Sequence, residues 1–203
     1  MALSYAPSAP RAVALDLFEL DRRLANAVRQ ASEPMTGQLR LAWWRDRFAE
    51  EPGAWPEGEP LLARLALWNG GTSQLGAMVD GWEALLVADT LTPDIARSFA
   101  EGRGQGWAAV ALALGEKAAA PAAASAGTWW ALADLAQHCG SDEDRKVAFA
   151  LAHELPEARP LPRSLRMFAV LATIARRAIR LQRLMLARPG DMAAAMRVGI
   201  FGR

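Results

Sequence analysis

Cysteine is almost missing from this chain. Cys139 is the only one in 203 residues, which excludes an internal disulfide and a thiolate metal cluster. Lysine is nearly absent too: of 23 basic residues only Lys117 and Lys146 are lysines, the usage of a GC-rich genome. Valine and isoleucine are few while Ala, Leu and Arg dominate, which favours helix over sheet. The two histidines, His138 and His153, have no acid or cysteine at ligand spacing, so no zinc site is expected. No apolar run approaches the roughly 20 residues of a membrane span. The segment MALSYAPSAPRAV lacks a charged region followed by an apolar core, so no signal peptide is expected and the expected location is the cytoplasm, with the periphery of the inner membrane as the alternative. No GxSxG, P-loop or dinucleotide fingerprint occurs.

What is present is a 52% hydrophobic composition, enough for one well-filled core over residues 1–203, with 1–10 and 197–203 as loose ends. The net charge of +1 is unevenly spread. From Pro160 to Arg203 nine arginines face one acid, Asp191, a net +8, so the first 159 residues carry −7. Such a split suits an anionic partner for the C-terminal part, such as diphosphate, phospholipid headgroups or an acidic protein; the alternative is a solvated arginine face balanced by acids elsewhere in the fold.

Helical periodicity runs throughout, without strand-type alternation or an internal repeat. After Pro10, Leu17, Leu20, Leu24 and Val28 make one apolar stripe, with Asp16, Glu19, Arg23 and Asn26 on another side and Glu19–Arg23 as a favourable i,i+4 pair. A second helix spans about Pro34 to Glu50, and the Pro- and Gly-rich segment EEPGAWPEGEP is a loop. Leu61 to Trp68 forms a short helix, and Thr72 or Ser73 caps one to about Ala88. Thr92-Pro93-Asp94 opens another, to about Leu114. Its glycines, 102, 104 and 106, imply close helix approach or a kink, because each costs roughly 1 kcal/mol against alanine. The stretch AAAPAAASAG reads as a linker before a helix from Thr128 to His138. Ser141 caps the next, whose Asp142, Glu143 and Asp144 compensate the helix dipole rather than bind metal. The last long helix is expected from Arg163 to Ala187, followed by a short tail capped by Asp191.

The segments EPMTGQLRLAWWRD, Met78-Val79-Asp80-Gly81-Trp82-Glu83, Phe99-Ala100-Glu101-Gly102-Arg103-Gly104 and Leu112-Ala113-Leu114-Gly115 resemble, in order, motifs of the squalene/phytoene synthase family. Similarity is greatest to a divergent branch that includes homologues of a respiratory complex I assembly factor. It covers Val13 to Gly115 and thins to helix-by-helix likeness through WALADLA (130–136) and Leu161-Pro162-Arg163. The resemblance implies an all-α, single-domain antiparallel helical bundle of isoprenoid (terpenoid) synthase type, shortened in its second half. Active members carry two aspartate-rich segments on facing helices; these hold Mg²⁺, which neutralises prenyl diphosphates.

This chain departs from that pattern. The first acidic motif should fall at Ala25-Asn26-Ala27-Val28-Arg29, where alanine cannot ligate, asparagine is a weak neutral donor and Arg29 repels a cation. In the second segment, 129–140, only Asp134 is acidic. Ala25, Asn26, Arg29 and Asp134 are therefore read as degenerate metal/diphosphate positions near a remnant cavity. No catalytic residue, metal or cofactor is assigned; Mg²⁺ returns only under an enzymatic reading. Arg40, Trp43, Trp44, Arg45, Glu101 and Arg103 are candidate cavity or ligand contacts. Trp43 and Trp44 point about 100° apart, so one enters the core and the other lies on a rim. Arg40 and Arg45 are placed to pair with acids of the first helix, and Asp80 and Glu83 are read as hydrogen-bonded surface acids rather than a cation site. Cys139 reads as a packed thiol. Arg176, Arg180 and Arg183 form a basic stripe on the last long helix, suited to a membrane surface or an acidic protein. No nucleic-acid module accompanies it. The leading expectation is a non-catalytic isoprenoid- or lipid-binding or assembly-type protein. The alternatives are an active prenyl-diphosphate transferase and a helical interaction module without a ligand cavity.

Overall fold

The computed structural model describes residues 2–31, 33–157 and 159–202. Met1, Ser32, Ala158 and Arg203 lie outside it, so the expected loose ends and the break at Pro156–Pro162 are each described without one residue. Among the described residues every regular element is helical: α1 (Ser8–Arg29), α2 (Pro34–Ala49), α3 (Pro60–Leu65), α4 (Leu75–Leu86), α5 (Pro93–Ala113), α6 (Ala120–His138), α7 (Asp142–His153), α8 (Arg166–Arg180) and α9 (Pro189–Phe201). The chain is all-α.

Local chemistry sets the helix starts. Thr92 Oγ1 accepts from the Ile95 amide at 3.3 Å, and Ser141 Oγ accepts from the Asp144 amide at 3.0 Å, with Asp142, Glu143 and Asp144 in the first turn of α7. The Glu59 carboxylate accepts from the Leu61 amide at 2.9 Å and from Arg23 at 2.7 Å, capping α3 and tying it to α1. The alanine-rich stretch expected as a linker is instead the start of α6. Its proline sits in the first turn, where a missing N–H costs nothing, and alanine is the best helix former.

Helices α4, α5, α6 and α8 pack in sequence, with α1 and α2 against α4 and α9 against α8. Close approach is made by glycine. A Cβ at Gly102 would lie 2.4 Å from the Ala77 carbonyl of α4, and one at Gly104 would lie 2.6 Å from the Ala124 carbonyl of α6. The glycines of α5 thus mark helix crossings. Leu17, Leu20, Leu24, Leu41, Leu62, Leu75, Trp107 and Phe168 belong to one buried core, and the Trp107 and Phe168 rings stack at 4.1 Å.

The C-terminal part departs from the expected long helix. α8 stops at Arg180, because Gln182 adopts a left-handed φ of 44°. The Gln182 amide then bonds the Ile179 carbonyl at 2.9 Å and the Arg183 amide bonds the Ala178 carbonyl at 3.0 Å, the pattern of a Schellman ending. Arg183 therefore lies beyond the helix and is not the third member of a stripe on it. It turns back to Asp191, which it grips at 2.6 and 2.7 Å. Residues 189–201, expected as little more than a tail, form α9, with the Tyr5 ring packed on Gly199.

Candidate functional site

α1 carries two stripes. Leu17, Leu20 and Leu24 enter the core, while Phe18, Asp21, Ala25 and Val28 line a cleft of about 500 Å³. Trp82 and Leu85 of α4, Phe99 and Arg103 of α5, and Trp130, Asp134 and Leu135 of α6 complete its walls; Arg22, Arg29 and His138 stand at its mouth.

Arg103 sits at the cleft floor with 3% of its side chain exposed. Flanked by Gly102 and Gly104, its backbone is clamped between α4 and α6, which aims its side chain into the cleft. Its Nε and Nη2 donate to the two carboxylate oxygens of Asp21 at 3.1 and 2.5 Å, and Nη1 donates to Asp134 at 2.7 Å. Trp82 Nε1 donates to Asp21 at 2.9 Å. The guanidinium lies 4.3 Å from the centre of the Trp130 ring and 5.1 and 5.4 Å from those of Phe99 and Trp82, in cation–π range. Burial works against the charge of Arg103, but Asp21 and Asp134 outweigh it and hold the guanidinium above its ordinary value. Behind it Trp107, Trp130, Phe168 and Phe18 close the interior.

Of the three charged residues at the floor, Asp21 is the one the sequence alone does not mark; the aromatic lining of Phe18, Trp82, Phe99 and Trp130 was not among the expected contacts either. Asp21 falls three residues before Leu24 and four after Leu17, so an acid interrupts a core-facing spacing; that was the available signal. His138, expected to lack an acidic partner, has its Nδ1 3.4 Å from a carboxylate oxygen of Asp134 one turn earlier.

The degenerate positions divide. Ala25, Arg29 and Asp134 border the cleft, whereas Asn26 turns to an open groove of about 630 Å³ between α1 and α2. Arg40, Trp43 and Trp44 line that groove; Trp44 is buried, and Trp43 is half-exposed at the rim. The groove offers no pair of facing acids, and its Arg23 is already bonded to Glu19 and Glu59. Arg45 pairs with Asp80 at 2.6 Å and with Glu83, both on α4 rather than on helix one. Glu101 is exposed, away from the cleft, because two residues' separation turns it about 200° from Arg103. Burial, with Asp144 nearby, pushes the Cys139 thiol above its ordinary value, which suits a packed thiol.

The resemblance implies Mg²⁺ bound between acidic segments, and these residues do not fit it. Each facing helix offers one carboxylate, both bond a buried guanidinium, and among the described residues no three His, Cys, Asp or Glu side chains converge as a ligand set. No family model, curated protein or solved structure matches the chain. No described helix is long and apolar enough to cross a membrane.

Proposed function

We propose that the chain is a non-catalytic relative of the squalene/phytoene synthases that binds an isoprenoid or other lipid in the cleft between α1, α4, α5 and α6. Its fold is then a shortened isoprenoid synthase bundle. The observation that carries this is Arg103 held between Asp21 and Asp134. An enzyme of the family needs acids free to bind cations that neutralise a diphosphate; here a side chain is the cation. Two carboxylates against one guanidinium leave the floor at −1, so a diphosphate gains nothing there and could meet cations only at the mouth, at Arg22 and Arg29, while an uncharged head such as a hydroxyl suits the floor. The cleft's apolar walls and its 500 Å³ fall in the usual range for small-molecule sites, about 300–1,000 Å³. A second part of this reading gives the arginine-rich C-terminal part an anionic partner, at a membrane surface or on an acidic protein.

The test is incubation with farnesyl or geranylgeranyl diphosphate and Mg²⁺, assayed for diphosphate release, beside titration with farnesol followed by tryptophan fluorescence. We expect no release, and a saturable change with farnesol that shrinks in Trp130→Phe and is lost when Trp82 is replaced as well, since these two tryptophans line the cleft. Turnover would establish the transferase instead. No response to any prenyl compound would leave a helical interaction module.

A further inference from the structure

Thirteen large apolar side chains are exposed among the described residues, and seven lie between Leu181 and Phe201; where such side chains adjoin one another, unlike scattered exposure, they mark an interaction surface. Met192, Met196 and Ile200 recur every four residues and form one stripe along α9. A hollow of about 190 Å³ between α8 and α9 is lined by Thr173, Arg176, Arg177, Arg180, Ala194 and Arg197, and on α9 Arg197 stands about 60° round the helix from Ile200.

The cations here exceed their counter-charges. Glu157, 85% exposed, stands 3.1 Å from Arg180 and 3.8 Å from Arg176, and Asp191 holds Arg177 and Arg183. Arg197 makes no ion pair among the described residues, and Arg176 Nε is buried without a hydrogen-bond partner. Five arginines against two acids leave three positive charges in excess. Water or a soluble polyanion would satisfy the charge and leave the methionines and Ile200 exposed. A bilayer interface satisfies both, taking guanidinium at the phosphates and apolar groups at the acyl boundary. At 13 residues α9 would reach only about 20 Å, too short to span but well suited to lie flat.

We propose that the α8–α9 face docks on an anionic phospholipid surface, with Arg176, Arg180 and Arg197 at lipid phosphates and Met192, Met196 and Ile200 entering the interface. This rests on the anionic-partner part of the proposed function and is independent of what fills the cleft. The test is co-sedimentation of the whole chain with phosphatidylcholine vesicles with or without phosphatidylglycerol, beside binding to soluble polyglutamate. Binding is expected only with phosphatidylglycerol, weakening as salt screens the charges beyond about 10 Å at 0.1 M. R180Q/R197Q should lower affinity about fivefold per residue, roughly 30-fold together. E157Q should raise it, because it removes the acid that competes for Arg176 and Arg180. M196S/I200S should lose the binding that persists at high salt. All these positions are exposed, and circular dichroism checks that each variant folds. Equal binding to neutral vesicles, or an unchanged R180Q/R197Q, would overturn the proposal. Polyglutamate binding without vesicle binding would overturn the lipid assignment and keep an anionic partner; binding to neither would overturn both.

Discussion

Replacing Arg103 by methionine tests the centre of the site. The substitution keeps an unbranched apolar stem and removes three hydrogen bonds, two to Asp21 and one to Asp134. It leaves two carboxylates, only 13% and 23% exposed, facing each other without a cation. Breaking a buried pair by deleting one partner costs about 3–5 kcal/mol, most of it the penalty of uncompensated charge. For a chain of this length about 2–4 °C of melting temperature is lost per kcal/mol, so R103M should melt roughly 6–20 °C lower. R103K should fall between, since one ammonium cannot fork to two carboxylates as a guanidinium does. The triple variant D21N/R103M/D134N should recover most of the loss, because neutral groups of similar shape carry no such penalty. Thermal and urea unfolding followed by circular dichroism measures all three. A loss below about 1 kcal/mol in R103M, or a triple variant no better than the single, would show that the cluster is not held as described.

Glu19 gives a pH prediction. Hydrogen bonds from Arg22 and Arg23 hold its carboxyl near 2, below the ordinary 4.5. A depressed carboxyl contributes stability that is complete above about 4.5 and lost as pH falls toward 2. E19Q should therefore flatten the acid limb in that window, by about 1 kcal/mol or less because the pairs are partly exposed; superimposable acid limbs would refute this. Gly104→Ala should destabilise by about 1–3 kcal/mol through overpacking, since its Cβ would meet the Ala124 carbonyl and Thr128 Oγ1 at 2.6 Å. Gly76→Ala, with nothing within 4 Å, should instead stabilise by roughly 0.5–1 kcal/mol. Equal denaturation midpoints for the two alanine variants would refute the close-approach argument.

The helix ends show what the sequence discloses and what it hides. α5 and α8 close with the same hydrogen-bond pattern: the Glu116 amide reaches the Ala111 carbonyl at 2.8 Å, and the Arg183 amide reaches the Ala178 carbonyl at 3.0 Å. The left-handed residue is Gly115 in one case and Gln182 in the other. Glycine there is readable as a stop; glutamine is not, and so the helix was expected to continue and the arginine spacing to hold through Arg183. The alanine-rich start of α6 misleads in the opposite sense, since a proline that ends most helices is harmless in a first turn. All-helical character was legible because Ala, Leu and periodic spacing act locally. Asp21 was less so: a lone acid in an apolar stripe has no visible partner until α5 and α6 fold against it.

Core and cleft depend on one another through a single turn of α5. Gly102 admits the backbone of α4 and Gly104 that of α6, so the residue between them has little freedom in where its side chain goes. Arginine there is buried at a cost only carboxylates can offset, and α1 and α6 each supply one. A change that freed either acid for a metal ion would have to unseat Arg103 from the three aromatic rings around it and strand the other acid. Stability therefore opposes metal-dependent chemistry at this place. The proposed binding of an uncharged molecule above the cluster would leave Arg103 bonded to both acids, and so asks for no change in the contacts that hold this turn of α5.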